Sequence, residues 1–122
     1  QQTSVQLKLE VPFNFRYTIS MKKIKKEFVR SNFYHKQLKR IGDVALYQRN
    51  MLNVNHHHYE VVKIGGHNGY KAGTQYIEAA ETYPGGSLWG LQGWTHQTLK
   101  EAEENFKVAC KRFNKKSKLQ HA

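Results

Sequence analysis

Hydrophobic and polar residues alternate between residues 3 and 19. Val5, Leu7, Leu9, Val11, Phe13, Phe15, Tyr17 and Ile19 fall on one side; Gln6, Lys8, Glu10, Asn14, Arg16 and Thr18 fall on the other. A period of two predicts a strand with one buried face. Pro12 interrupts the polar side and cannot donate to a ladder, so it marks an edge, a bulge or a break. An edge of this kind invites pairing with another chain. Residues 1–20 are therefore expected to form an extended N-terminal strand or arm, with self-association through residues 3–19, and residues 21–122 a single α+β domain. Met21-Lys22-Lys23 resembles a natural start, so residues 1–20 are read as either a native extension or a segment foreign to the domain.

The pattern then shortens. Ile24 and Phe28 lie four apart, which suits a short helix or turn, and beyond Asn32 the pattern drifts toward strand. Gly42-Asp43 signals a turn before a compact strand at 44–47. Residues 48–58 read as a polar connection, and residues 59–64 as the clearest core strand, rich in β-branched residues. Residues 65–69 form a glycine-rich turn or flexible loop, 74–80 suit another strand, and Pro84-Gly85-Gly86 punctuates.

The stretch from Trp89 to Phe113 organises the rest. A Gly/Trp-rich turn leads into an amphipathic helix with Leu99, Ala102, Phe106, Ala109, Cys110 and Phe113 on one face. Thr98 and Glu101 fit a capping box, and acids early with bases late match the helix dipole. The basic tail beyond Phe113 is expected to fray. The predicted architecture is α+β: a small antiparallel sheet of three to four strands with the C-terminal helix packed on one face.

Charge changes the picture most. Of 122 residues, 20 are Lys or Arg and 9 are Asp or Glu, a formal net charge of +11. A field of that sign favours polyanions: nucleic acid or a nucleoprotein complex, an anionic membrane surface, or an acidic protein. Lys22, Lys23, Lys25, Lys26, Arg30, Lys36, Lys39 and Arg40 crowd one stretch in which Glu27 is the only acid, and Lys115 and Lys116 follow near the C-terminus. These cations are the predicted nucleic-acid contacts. Phe28, Phe33 and Tyr34 are interleaved with them, as core or as stacking platforms. No apolar run approaches the roughly 18 residues of a membrane span, and no signal peptide is recognised at the start, so a soluble protein without a membrane partner is expected.

The arrangement GDVALYQR, HYEVVKI, YPGGSLWGLQGWTH and TLKEAEENF, over about residues 42–113, is similar to small uncharacterised proteins of bacteriophages and mobile elements. The WG…GWT segment is the most distinctive part. The resemblance implies a compact α+β domain of viral or mobile-element origin, and it carries over no catalytic residue. Residues 1–20 fall outside it. The expected location is the host cytoplasm or the virion.

Catalytic and metal readings find little support in the spacing. His56-His57-His58 would need His67, His96, Asp43 or Glu60 as further ligands, and no HExxH or CxxC spacing is present, so solvated loop histidines are expected. Cys110, on the apolar helix face, reads as a buried, inert thiol. The loop at 65–73 lacks the P-loop and GxGxxG spacings. No acid–base pair stands out, so neither an enzyme nor a cofactor is expected. The functional expectation is a non-enzymatic module contacting nucleic acid or a nucleoprotein. The alternatives are a virion structural or accessory subunit assembling by strand addition, and an inhibitor of a host defence nuclease.

Overall fold

The computed structural model describes residues 21–121, with side chains through Asn114. The predicted 3–19 arm lies outside the described residues, as do the side chains of Lys115 and Lys116. Two compact units are present. Among the described residues, one comprises 21–24 and 66–82, and the other 25–65 and 83–121.

The larger unit is α+β. Its antiparallel sheet has five strands in the order β1-β2-β3-β4-β9. They are β1 (Glu27–Arg30), β2 (Phe33–Ile41), β3 (Val44–Met51), β4 (His57–Lys63) and β9 (Gly93–His96). The helix α1 (Leu99–His121) packs on one face, against β3, β4 and β9. Val44, Leu46 and Val61 meet Ala102, Phe106 and Ala109 in the buried core, with Tyr59, Trp94, Cys110 and Phe113 packed around it. The Thr98 half of the predicted capping box forms: the Glu101 amide donates to Thr98 Oγ1 at 3.2 Å. The helix runs past Phe113 to His121, so the tail is helical where the sequence pattern suggested fraying.

The sheet has one or two strands more than the pattern predicted, for two reasons. The segment around Ile24 and Phe28 is not helical: Glu27–Arg30 pairs with β2 across a two-residue turn. Ser31 and Asn32 there have φ of 53° and 68°. Positive φ at both central residues is the type I′ signature, whose twist suits a tight hairpin. The Trp segment supplies the other addition, because Gly93–His96 pairs with β4 instead of forming only a turn. The polar connection at 48–58 is also shorter than expected. β3 continues through Gln48, Arg49 and Asn50, and β4 begins at His57, since polar residues at strand ends pair as well as apolar ones.

At the β2–β3 turn, Gly42 has a φ of 60°, and a Cβ there would stand 2.5 Å from Asn114 Oδ1. Asn114 uses that proximity: its Nδ2 donates to the Ile41 carbonyl at 3.0 Å, and its Oδ1 accepts from the Asp43 amide at 3.3 Å. β2 carries an irregularity between Gln37 and Lys39 that leaves Leu38 without a register partner.

The smaller unit contains short ladders. β5 (Gly65–His67) pairs with β8 (Ala80–Thr82), and β6 (Tyr70–Ala72) with β7 (Gln75–Ile77). The single strand predicted at 74–80 is thus two, and the glycine turn at 65–69 includes a strand. Lys22 bridges Ala80, exchanging backbone bonds with Ala79 and Glu81 at 3.0 and 2.8 Å.

Candidate functional site

Alternation along the strands sends a second set of side chains to the sheet face opposite α1. In β1 these are Phe28 and Arg30; in β2, Phe33 and His35; in β3, Tyr47 and Arg49; in β4, Glu60; in β9, Thr95. The 83–89 segment contributes Tyr83, Pro84 and Trp89 to the same face. A 3-10 turn at Gly86–Leu88 precedes Trp89, whose ring lies over Gly93 so closely that a Cβ there would meet it at 2.5 Å.

An aromatic layer forms as a result. Phe28 stacks on His35 at 4.6 Å between ring centroids, and Tyr83 meets Phe28, His35 and Tyr47 edge-on at 5.2–5.5 Å. Tyr47 is fully buried; its hydroxyl donates to the Lys25 carbonyl at 3.0 Å and accepts from Gln37 Nε2 at 3.0 Å.

Glu60 sits beneath this layer and is 4% exposed. Its Oε1 accepts from the Tyr83 hydroxyl at 2.5 Å and lies 3.5 Å from His35 Nε2; its Oε2 lies 3.1 Å from an Arg49 terminal nitrogen. Burial pushes this carboxyl up. The hydrogen bonds from His35 and Tyr83 and the Arg49 charge more than offset it, so the group is held below the usual carboxylate range. The Tyr83 phenol moves the other way, far above its ordinary value, through burial first and then the Glu60 charge. His35 Nδ1 and Arg49 Nε are buried without a partner among the described residues.

An open recess of about 270 Å³ lies beside this cluster, bordered by Arg30, Phe33, Arg49, Tyr83 and Trp89 among others. The Arg49 guanidinium stacks on Phe33 at 4.2 Å, and Arg30 lies 5.8 Å from the Tyr83 ring centroid. Trp89 Nε1 donates to Thr95 Oγ1 at 3.0 Å. The recess therefore presents ring faces and guanidinium groups, while its carboxylate is occupied from within.

The predicted cations do not converge on one face. Lys22 and Lys23 belong to the smaller unit, where Lys23 lies 4.0 Å from Glu81. In the larger unit, Arg30 borders the recess, whereas Lys36 lies on the opposite side of the sheet by strand alternation. Lys39 reaches α1, 3.7 Å from Glu103 and 5.0 Å from the Phe106 ring centroid. Arg40 lies 3.9 Å from Asp43 and donates from Nε to the Gly42 carbonyl. Lys25 and Lys26 are exposed in the segment entering β1.

Sequence reasoning did not find the recess. The sequence pattern offers Glu60 only as a metal ligand and Pro84 only as punctuation, and gives no role to His35, Arg49 or Tyr83. The available signal was an acid in the middle of an apolar strand, because a central-strand carboxylate needs buried partners. Among the described residues no group of three or more His, Cys, Asp or Glu is placed to hold a metal ion. Cys110 is half-buried, and burial raises its thiol pKa. No helix among the described residues is long and apolar enough to cross a membrane. Comparison with protein families, with curated proteins and with solved structures finds no match.

Proposed function

We propose that this protein is a small basic binding module, without catalysis of its own, that contacts nucleic acid or a nucleoprotein complex. The observation that carries the reading is uncompensated charge. Lys25, Lys26, Arg30 and Lys36 are exposed, and among the described residues none has a carboxylate partner. Acids that would have muted them are used elsewhere: Glu60 is buried against Arg49, and Glu101, Glu103 and Glu104 lie in the opening turns of α1. Cations left in water without partners are free to replace the counterions of a polyphosphate. With this reading we propose the location implied by the sequence resemblance at about residues 42–113, the infected host cell or the virion.

Fluorescence anisotropy with a random duplex and a single strand tests the proposal. About four to six phosphate contacts give a log–log salt slope of roughly −3 to −5. Replacing Lys22, Lys23, Lys25 and Lys26 by Gln weakens binding to all sequences alike and flattens that slope. Absence of binding to either probe at about 50 mM salt, where such contacts are strong, refutes the proposal and points the charge at an acidic protein.

A further inference from the structure

We infer that the recess on the sheet face opposite α1 is a subsite for one unstacked base of a single-stranded nucleic acid, with the adjoining phosphate on Arg30. The inference rests on the nucleic-acid reading above and adds the kind of strand and the place where it is held.

Three features of the recess select that occupant. The first is what its walls have left to offer. The Trp89 indole N–H is committed to Thr95, and the Tyr83 hydroxyl to Glu60. Phe33 has no polar atom, and Arg49 covers one of its faces. Tyr83 and Trp89 also stack on each other at 6.5 Å between ring centroids, so what the walls offer is the π surface that remains toward the recess, to which a base can stack without its edge being read. The second feature is charge. The Arg49 charge is answered by Glu60 at 3.1 Å, whereas Arg30 has no carboxylate partner among the described residues. One unanswered guanidinium at the rim of a ring-lined hollow matches a single phosphodiester charge beside a base.

The third feature is size. A volume of about 270 Å³ falls under the roughly 300–1,000 Å³ of pockets that enclose whole small ligands. A fragment of a polymer fits this better than a complete cofactor. In a duplex the base faces are covered by their neighbours, so the hollow selects a single strand or an unpaired end. The Glu60 carboxylate is held by Tyr83 and Arg49, so it is not free to accept from base amino groups. Recognition is consequently tolerant of sequence.

The test compares four probes on the full chain at fixed salt: a short oligothymidylate, an abasic strand of the same length, a duplex and thymidine monophosphate. Stacking one base predicts that the oligothymidylate binds roughly 5- to 100-fold tighter than the abasic strand. Arg30→Gln, a change at an exposed position, weakens binding of the intact strand and reduces its salt slope by about one. In a Trp94→Phe chain, Trp89 is the sole tryptophan, and the intact strand quenches it while the abasic strand does not.

Equal affinity for intact and abasic strands, with the Lys→Gln replacements still weakening both, overturns the recess assignment and leaves the polyanion reading standing. Binding of thymidine monophosphate as tightly as the strand overturns the polymer assignment in favour of a free nucleotide. No binding of any probe removes both readings together.

Discussion

Replacing Glu60 by Gln isolates the centre of the aromatic layer. The carboxylate lies 3.1 Å from Arg49 and accepts from Tyr83 at 2.5 Å. Removing one partner of a fully buried ion pair costs about 3–5 kcal/mol. Two features lower that figure here. The Arg49 side chain is 23% exposed, so water takes up part of the stranded charge. Gln also keeps an acceptor oxygen for Tyr83. The expected loss is about 2–3 kcal/mol. At about 4 °C per kcal/mol for a chain of this size, the melting midpoint at pH 7 drops by roughly 8–12 °C. The pH dependence adds a second constraint. Because the folded carboxyl is held below its ordinary value, the folded state binds fewer protons than the unfolded chain between those two values. Its contribution is therefore present above the ordinary pKa of about 4.3 and is lost as pH falls through the lower folded value. The difference between the two proteins is widest near neutrality and narrows in acid. Thermal melts by circular dichroism across this range measure it. Equal midpoints at pH 7, or a gap that does not narrow in acid, refute the assignment of Glu60 as a charged structural hub.

Tyr83→Phe removes a hydrogen bond to a charged acceptor and costs about 1.5–3 kcal/mol at pH 7 by urea titration. Since the folded phenol stays protonated well beyond the ordinary value of about 10, the native protein also loses stability as pH rises past 10, and the variant shows a shallower alkaline decline. Trp94→Ala opens the helix-side packing and, for a half-buried indole, costs about 3 kcal/mol, with loss of near-UV dichroism; an unchanged midpoint would place Trp94 outside the core. Gly42→Ala forces a Cβ onto Asn114 at a φ of 60° and lowers stability by about 1–2 kcal/mol in the same urea assay.

The helix side of the fold was legible because its residues carry local signals. Ala102, Phe106 and Ala109 repeat with helical spacing, Thr98 and Glu101 announce the start, and Val61 lies in a β-branched run. The face opposite α1 was not legible. His35, Glu60 and Tyr83 are 23–48 positions apart and meet only once the strands are in register. Arg49 looked like loop because polar residues at a strand end break the apolar run that periodicity detects. The lysines posed the opposite difficulty. Proximity in sequence suggested one patch, yet a period of two distributes neighbours between opposite faces. Ser31-Asn32 was readable in principle, but Ser at the first position of a type I′ turn is a weaker cue than Asn-Gly.

The irregularity at Leu38 acts on β2 as a change of reading frame. On a strand, one extra residue exchanges the two sides. Before it, Phe33, His35 and Gln37 serve the aromatic layer, and Lys36 points away from it. After it, Lys39 returns to the side of Lys36 and reaches Glu103 and Phe106 on α1. One strand is thereby divided between two layers of the molecule. The position tolerates a change of letter, since a polar residue at exposed Leu38 keeps both halves in phase, and it tolerates its own deletion too: without Leu38, Gln37 and Lys39 become neighbours that alternate between the aromatic layer and the helix, still opposite Tyr47 and Leu46, whereas the loss of one residue from 33–37 would put the first half of the strand out of phase.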